Sequence, residues 1–270
     1  MYFDAHVHSA ASPDSELNPL DAVRALEKKG LGVVFTEHVD FATPTKGRDI
    51  TATDAPRADS DFICDFEIYP SQYKIIREQY ADSVLLGVEI GLNVAYFSLN
   101  SQMAGEGYDF VLGAIHYVDG LDVYHSSNSM EPYDFCRRYL TYGREMVEYC
   151  GFFDAFAHID YIARYSKGIE RVFSYKNFAR EFDGLLRALV ERDLALEINT
   201  SRFGNNKHVE QLLPIYKRFG ELGGRYVTIG SDAHNEHSLG RYYAEALGIA
   251  NISGLVPVYY RQRERLVCKK

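Results

Sequence analysis

The chain contains no tryptophan and only four cysteines among its 270 residues. These are Cys64, Cys136, Cys150 and Cys268, which are widely separated and form no Cys-x-x-Cys pair. The sequence therefore gives no indication of a disulfide scaffold or a structural thiolate zinc site. Reduced thiols are typical of cytosolic proteins, so we expect the protein to be cytoplasmic.

Long apolar runs and extended basic runs are also missing. No apolar segment approaches the roughly 20 residues that a membrane helix needs, and we expect no targeting leader because the N-terminus lacks a basic segment and an apolar core. The formal net charge is -9. Because nucleic-acid backbones are bound by clustered Lys and Arg, the sequence predicts neither a nucleic-acid partner nor a membrane partner.

What the chain does contain is sufficient for a large core. Hydrophobic residues make up 46% of it and charged residues 25%, with 21 Tyr and 16 Phe offsetting the absent Trp. This composition is ordinary for a globular protein, and α/β barrels commonly occupy this length as one unit. No large repeat or low-complexity linker divides the sequence, so we predict a single domain over residues 1–270.

Apolar strands alternate with helical segments along the chain. The predicted strands are 2–9, 31–36, 83–88, 110–115, 153–157, 195–199 and 226–229. The predicted helices are 20–29, 73–80, 96–103, 133–150, 175–193 and 209–222. This pattern predicts a parallel α/β sheet, either closed as a barrel or open and doubly wound. Segment 39–61 is interpreted as a lid, a substrate loop or an ordered surface excursion, and 259–270 as an edge element or a loosely attached end.

The first strand carries two histidines that alternate with apolar residues. Residues two apart on a strand point to the same side, so His6 and His8 present their imidazoles side by side. Such a pair is suited to binding a metal ion. A single histidine in an apolar run is more often a hydrogen-bonded core residue, so the rest of the chain has to decide between these interpretations.

Histidines and acidic residues recur at the ends of the predicted strands. Eight of them lie at or just past such an end: His6, His8, His38, Glu89, His116, His158, Asp232 and His234. In a parallel barrel these ends open on one face, so the side chains converge. Burying them unpaired would cost on the order of several kcal/mol each, whereas metal coordination satisfies them. With Asp14 in the following loop there are nine candidates, enough for two or three divalent ions, Zn, Mn or Fe.

Two arginines follow predicted strands on the same face. Arg164 lies shortly after His158 and Asp160, and Arg202 follows the strand that ends at Asn199. A guanidinium group matches two oxygens of a phosphate, so two such groups favour a phosphomonoester over an amide or lactone. Metals would acidify water into a nucleophile at neutral pH. The sequence therefore favours metal-assisted hydrolysis of a small phosphomonoester. We expect His125, His208 and His237 at the surface.

Several motifs together resemble the polymerase and histidinol phosphatase (PHP) family. They are His6-Val-His-Ser9, Ser12-Pro-Asp14, Thr36-Glu-His38, Gly87-Val-Glu89, Gly113-Ala-Ile-His116, His158-Ile-Asp160, Glu197-Ile-Asn-Thr200 and Ser231-Asp-Ala-His234. The resemblance runs from residue 2 to about residue 250. Within the family the chain is most similar to the monofunctional histidinol-phosphate phosphatases.

This resemblance implies a fold and a set of ligands. The implied fold is a distorted seven-stranded (β/α) barrel with a trinuclear metal centre. The first metal would be held by His6, His8, Glu89 and Asp232. The second would be held by His116, His158 and the same Glu89, which bridges the two. The third would be held by Asp14, His38 and His234, although some relatives have His in place of Asp14.

The activity implied is hydrolysis of L-histidinol phosphate to L-histidinol and inorganic phosphate in histidine biosynthesis. A metal-bridging hydroxide would attack phosphorus without a covalent phosphoenzyme, while Arg164 and Arg202 spread the phosphoryl charge. Asp160 is a candidate for protonating the leaving alkoxide, or instead for orienting Arg164 or a ligand histidine. Glu37 would support a ligand or contact the substrate's amine.

Three other functions are compatible with parts of the pattern. The first is another phosphoesterase of the same family, acting on a different small phosphomonoester or on phosphotyrosine in a protein. The second is a metal-binding scaffold without catalysis, which normally would have lost ligands. The third is a metal-dependent amidohydrolase, which gives no reason for two arginines and typically uses a bridging lysine that we do not find at any predicted strand end.

Overall fold

The computed structural model describes residues 1–41, 62–64, 69–105, 107–124, 130–165 and 168–269. Residues 42–61 of the segment 39–61 lie outside these ranges, and so does His125. The first residues of that segment, Val39 and Asp40, belong to a strand instead. Within the described ranges, no helix is both long and apolar enough to cross a bilayer.

Strands and helices alternate through most of the chain. The strands are β1 (Tyr2–Val7), β2 (Leu31–Asp40), β3 (Phe62–Ile63), β4 (Val84–Gly91), β5 (Phe110–Ala114), β6 (Tyr117–Val118), β7 (Leu121–Asp122), β8 (Ala155–Phe156), β9 (Ala195–Asn199), β10 (Tyr226–Gly230), β11 (Val256–Arg261) and β12 (Glu264–Val267). The α-helices are α1 (Pro19–Lys28), α2 (Tyr69–Gln79), α3 (Phe97–Ala104), α4 (Pro132–Tyr149), α5 (Ile162–Tyr165), α6 (Ile169–Val172), α7 (Ala179–Glu191), α8 (Asn206–Glu221) and α9 (Tyr243–Ile252). Short 3-10 turns form at Val94–Tyr96 and Glu236–Ser238.

The main sheet is mostly parallel. Its strand order is β1-β2-β4-β5-β8-β9-β10-β11-β12, and β3 pairs antiparallel with the end of β2. In this strand order, every neighbouring pair from β1 through β11 is parallel, whereas β12 at the edge runs antiparallel to β11. The predicted α/β class and parallel arrangement are confirmed. β11 and β12 extend the sheet beyond the seven predicted strands.

Element ends differ from the predicted ones in ways that matter for the site. Helix α1 begins at Pro19, one residue before the predicted start, where the Asn18 side chain accepts from the N–H groups of Leu20 and Asp21. Strand β2 continues to Asp40 rather than ending at Thr36. The predicted end followed the apolar run, but the polar residues after it are buried in the sheet and keep their strand pairing.

The core has two layers. One layer fills the space between the sheet and the helices, and the other lies on the opposite face of the sheet. That inner layer consists of Phe3, Ala5, Val34, Leu85, Phe110, Leu112, Ala114, Ala155, Ala157, Ala195, Val258 and Tyr260. Rings from distant strands meet there, since Phe110 of β5 stacks on Tyr260 of β11 and Phe3 of β1 packs on Tyr259. The sheet is therefore curved so that its inner face packs on itself.

The C-terminal tail forms an ordered edge hairpin. Strands β11 and β12 are joined by a turn containing Arg263. The guanidinium of Arg263 donates to Asp154 Oδ2 at 2.6 Å and to the carbonyls of Ala104 and Phe152. Of the two interpretations of this tail, the edge element is correct, and these bonds attach it to the loops below β5 and β8.

Candidate metal centre

All nine predicted ligands lie together at the carboxyl ends of the parallel strands. The inner cluster is almost completely buried, with His6, His8 and Glu89 at 0% exposure. Asp14 and His234 lie at the rim, where their side chains are 35% and 27% exposed. The structure therefore brings together the side chains that the strand-end pattern singled out, because parallel strands deliver their ends to one face.

The first group of side chains surrounds the ends of β1 and β4. The Nε2 atoms of His6 and His8 are 3.0 Å apart. Glu89 Oε2 lies 3.3 Å from the first of these nitrogens and 3.4 Å from the second. Asp232 Oδ1 is 3.6 Å from both. Four potential ligand atoms thus face one small volume.

The other oxygen of Glu89 faces a second group. Glu89 Oε1 is 2.7 Å from His158 Nε2 and 3.4 Å from His116 Nε2. The two imidazole nitrogens are themselves 3.4 Å apart. One carboxylate therefore separates two sets of imidazole nitrogens, which is the geometry of a bridging ligand.

A third group lies at the rim. Asp14 Oδ2 is 2.7 Å from His234 Nε2 and 3.6 Å from His38 Nε2. The ring of His8 stacks on that of His38 and on that of His234, with centroid distances of 4.1 and 4.3 Å. The three groups are consequently continuous.

The donor set fits divalent cations in one specific respect. Glu89 Oε2 is fully buried and has three imidazole nitrogens within 3.2 to 3.4 Å, yet it accepts no hydrogen bond from the described residues. Burying a carboxylate oxygen that accepts no hydrogen bond costs folding free energy, and a cation among these atoms would remove that cost. Imidazole and carboxylate without thiolate are the ligands typical of catalytic Zn, Mn or Fe.

The electrostatics keep the central carboxylate ionised. Burial alone would raise the pKa of Glu89, but the imidazoles of His6, His116 and His38 hold this pKa well below its usual range. Burial also lowers the pKa of His8 to about 3. The site therefore presents a charged carboxylate beside the neutral imidazole of His8. Burial opposes protonation of His6, His38 and His116 as well, but the neighbouring carboxylates raise their pKa, so a metal ion would have to displace protons from these three rings.

Two further carboxylates fix the orientation of ligand rings. Glu197 Oε1 accepts from His6 Nδ1 at 2.6 Å, and its Oε2 accepts from the His158 backbone N–H at 2.7 Å. Asp40 Oδ1 accepts from His116 Nδ1 at 2.8 Å. These bonds turn the Nε2 atoms inward. Neither residue was given a role from the sequence, although Glu197 begins one of the family motifs and Asp40 follows His38 by two positions on the same face of the strand.

Glu37 supports the loop after β1 from below. Its carboxylate accepts from the N–H and hydroxyl of Ser9 and from the hydroxyl of Ser12, at 2.5 to 3.2 Å. Ser12 precedes the predicted ligand Asp14 by two residues. Glu37 is fully buried in these contacts, so they support its interpretation as a supporting residue and not as a contact to a substrate amine.

The two predicted arginines form ion pairs at the site. Arg164 Nη1 donates to Asp232 Oδ2 at 2.5 Å, while its buried Nε and Nη2 atoms have no hydrogen-bond partner among the described residues. Arg202 Nη1 donates to Asp160 Oδ2 at 2.9 Å. Asp160 is 3% exposed and lies behind Arg202, so its contact is with that arginine rather than with a ligand histidine.

Comparison with known proteins identifies the arrangement. A family model for the PHP domain matches residues 4–201. This chain belongs to the PHP domain family. A protein of Clostridium acetobutylicum named probable histidinol-phosphatase is 37% identical over 269 residues, which is 97% of this chain and 98% of that protein. A histidinol-phosphatase of Lactococcus lactis subsp. lactis is 27% identical over 238 residues, or 86% of this chain and 83% of that one.

A solved structure agrees with the fold of this PHP domain over its whole length. It is the crystal structure of histidinol phosphate phosphatase from Lactococcus lactis subsp. lactis, complexed with zinc, L-histidinol and phosphate. The TM-score is 0.85 at 25% identity, with 99% of both chains covered. The fold expected from the motifs is therefore confirmed at the level of a mostly parallel α/β sheet.

Two cavities open above the ligands of this PHP domain. The first, of about 580 Å³, is lined by all the predicted ligands except His6 and His8. It continues along Tyr117, Tyr124, Tyr161 and Tyr165, which we call the tyrosine wall. The second, of about 590 Å³, is lined by Arg164, Arg202 and Arg241, and we call it the arginine cavity. Arg164, Tyr165, Asp232 and His234 line both.

One of the histidines expected at the surface lies in the arginine cavity instead. His208, expected at the surface, is half-buried and lines the arginine cavity, where its Nδ1 contacts the carbonyl of Arg202 at 3.1 Å. His237 is exposed as expected. The first turn of α8 follows the Arg202 loop directly, which brings His208 back toward it.

Backbone geometry at the end of β10 is constrained. Asp232 has a φ of 54°, in the left-handed region that residues with a side chain rarely adopt, and such strain is common at functional sites. Two residues earlier, a Cβ at Gly230 would overlap His6 Cβ and Glu197 Oε1. Glycine is therefore required for β10 to approach the first histidine and its carboxylate partner.

Proposed function

We propose that this PHP-domain protein is a metal-dependent phosphomonoesterase that hydrolyses L-histidinol phosphate to L-histidinol and inorganic phosphate. The observation that carries the proposal is the position of Glu89, whose two oxygens face two separate groups of imidazole nitrogens. The end-to-end similarity to a histidinol phosphate phosphatase solved with zinc, L-histidinol and phosphate supports the choice of substrate.

We assign three metal positions on the basis of these distances. The first is held by His6, His8, Glu89 and Asp232. The second is held by Glu89, His116 and His158. The third is held by Asp14, His38 and His234. When bound, divalent ions would polarise phosphoryl oxygens and make water a competent nucleophile at neutral pH.

The chain's own residues bind and orient the phosphoryl group. Arg164 presents beside Asp232 two buried donors that have no partner among the described residues, and phosphoryl oxygens are suitable acceptors for them. Arg202 lines the adjoining cavity and adds a second guanidinium. Both charges oppose the negative charge that develops on the phosphoryl oxygens in the transition state. No side chain is required to form a covalent intermediate.

Asp160 has two candidate roles, and its contact with Arg202 favours positioning over acid catalysis. If it only orients the arginine, Asp160→Asn should raise KM for phosphomonoesters and weaken inhibition by inorganic phosphate by about 10-fold, as loss of an orienting partner does elsewhere. kcat should change little. Steady-state kinetics with phosphate esters of good and poor leaving groups should give the same loss for both.

The matched control is Asp183→Asn. Asp183 forms a comparable bidentate pair with Arg218, at 2.7 and 2.9 Å, between α7 and α8. That change should leave KM and phosphate inhibition as in the native protein. A loss in Asp160→Asn that grows as the leaving group becomes more basic would instead establish proton donation by Asp160.

The substrate assignment is tested by phosphate release from metal-reconstituted protein. We expect kcat/KM for L-histidinol phosphate to exceed that for an aryl phosphate and for a phosphotyrosine peptide by about 100-fold or more, since specific binding of a leaving group is worth this much. Comparable weak rates on all three would retain a phosphoesterase and reject the biosynthetic substrate. Metal binding without phosphate release would indicate a scaffold.

We also propose that the sheet closes as a distorted seven-stranded barrel within a single domain spanning residues 1–270. The support is at the junction of β1 and β10, where the His6 carbonyl accepts from Asp232 N–H at 2.8 Å and His8 N–H donates to the Ala233 carbonyl at 2.9 Å. A parallel bridge pairs Val7 with Ala233. As an enzyme of histidine biosynthesis, the protein is expected to work in the cytoplasm.

A further inference from the structure

The cavity above the ligands has an aromatic side. The ring of Tyr161 lies 4.7 Å from that of the proposed ligand His116 and 5.1 Å from that of Tyr165. Tyr165 in turn packs edge-on against Tyr124 at 4.7 Å. The tyrosine wall therefore runs without interruption from the proposed metal centre to the cavity entrance, where Tyr124 is 53% exposed.

The same side of the cavity carries a carboxylate. Asp122, on the short hairpin of β6 and β7, lines this cavity together with the tyrosine wall. Its Oδ1 accepts from the Tyr124 backbone N–H at 2.7 Å, which fixes the carboxylate at the residue that carries the outermost ring of the wall. Aromatic faces and a carboxylate both attract cations.

The arginine cavity has the opposite character. Arg164, Arg202 and Arg241 bring three guanidinium groups to its lining. A positively charged ligand group would be repelled there, whereas oxygens of a phosphate would be attracted. Because the two cavities meet at Arg164 and Asp232, a ligand with one anionic end and one cationic end has a single favourable orientation.

We propose that Asp122 and the tyrosine wall form the subsite for the leaving group and select substrates with a cationic amine next to a planar ring. This inference rests on the proposed function, because L-histidinol carries an ammonium and an imidazole. Asp122 pairs with the ammonium, and the rings of Tyr124 and Tyr165 pack against the imidazole. The phosphoryl group then lies at the ligands and Arg164.

The pairing is tested by removing each partner in turn. The deaminated analogue of L-histidinol phosphate keeps the phosphate and the imidazole but lacks the ammonium. In the native protein we expect kcat/KM to fall by roughly 10-fold or more on going to this analogue, because a charged hydrogen bond is lost. In Asp122→Asn, kcat/KM should fall by less than about 3-fold between L-histidinol phosphate and the deaminated analogue. The carboxylate that would pair with the ammonium is already missing in this variant, so removing the ammonium costs little more.

Asp119→Asn is the matched control. Asp119 lies on the same hairpin and pairs with Arg138 at 2.6 and 2.7 Å, outside the cavity lining. In Asp119→Asn, kcat/KM should fall as much as in the native protein when the ammonium is removed from the substrate. Tyr124→Leu tests the wall independently, and it should weaken inhibition by L-histidinol by roughly 10-fold because base-like rings gain this much from stacking on an aromatic side chain.

The outcomes separate the subsite from the proposed function. An amine dependence that is the same in Asp122→Asn and in the native protein overturns the subsite, even if L-histidinol phosphate is the preferred substrate. If the native protein shows no preference for that substrate, but L-histidinol inhibits aryl phosphate hydrolysis and Asp122→Asn abolishes this inhibition, the subsite stands and the proposed function fails.

Discussion

Replacing Glu89 with Gln is expected to lower kcat/KM for phosphate release by more than about 100-fold. The amide keeps the size of the side chain but removes the charge and replaces one of the two oxygens that face the imidazole groups. If Glu89 holds two metal ions as proposed, each ion would lose a carboxylate ligand in this variant. The effect should exceed the roughly 10- to 100-fold loss that follows removal of a residue that only orients a ligand.

Metal content measured by elemental analysis should fall in parallel with activity in Glu89→Gln. The appropriate comparison is Glu197→Gln, because Glu197 is equally buried but contacts the outer nitrogen of His6 and not its inner one. This variant should stay within the 10- to 100-fold range. Native metal content and activity in Glu89→Gln, in protein that unfolds at the native temperature, would contradict the bridging role.

The side chains of the site could be predicted from sequence because they follow a simple rule of topology. Apolar runs marked the strands, and the polar residues that ended each run had to meet at one face. His116 and His158 were found in this way, and their Nε2 atoms lie 3.4 Å apart although the two residues are 42 positions apart in the sequence. The same rule placed the end of β2 too early, because it treats any polar residue as outside the strand. His38 and Asp40 remain in β2, where His38 Nδ1 lies 3.3 Å from Asp40 Oδ2 and the other oxygen of Asp40 accepts from His116.

Pairings between side chains had no comparable signal in the sequence. Glu197 reaches His6 across 191 positions, and Arg202 reaches Asp160 across 42. Neither spacing corresponds to a helical or strand period, so only the fold reveals that one carboxylate orients a ligand and the other an arginine. The division of the entrance into an aromatic side and an arginine side likewise depends on which loops become neighbours.

Replacing Arg164 with Ala is expected to cost about 100-fold or more in kcat/KM, chiefly through kcat. Its Nε and Nη2 atoms have no partner among the described residues and are buried beside the proposed ligand Asp232, where a charged donor is effective toward developing phosphoryl charge. Inhibition by inorganic phosphate should weaken in the same variant, because phosphate uses the same donors. Both quantities follow from steady-state phosphate release with added phosphate.

The ion pair with Asp232 gives Arg164→Ala a second effect that must be measured separately. Without the arginine, Asp232 keeps its charge but loses an orienting partner, so metal content should be determined alongside the kinetics. Arg241→Ala is the matched control, because Arg241 lines the same arginine cavity but donates only to the Ser231 carbonyl among its described hydrogen bonds. It should lose less than about 10-fold, in keeping with a charge that stands farther from the ligands. If Arg164→Ala retains full metal content and native phosphate inhibition, its guanidinium does not bind the phosphoryl group and serves only to hold Asp232.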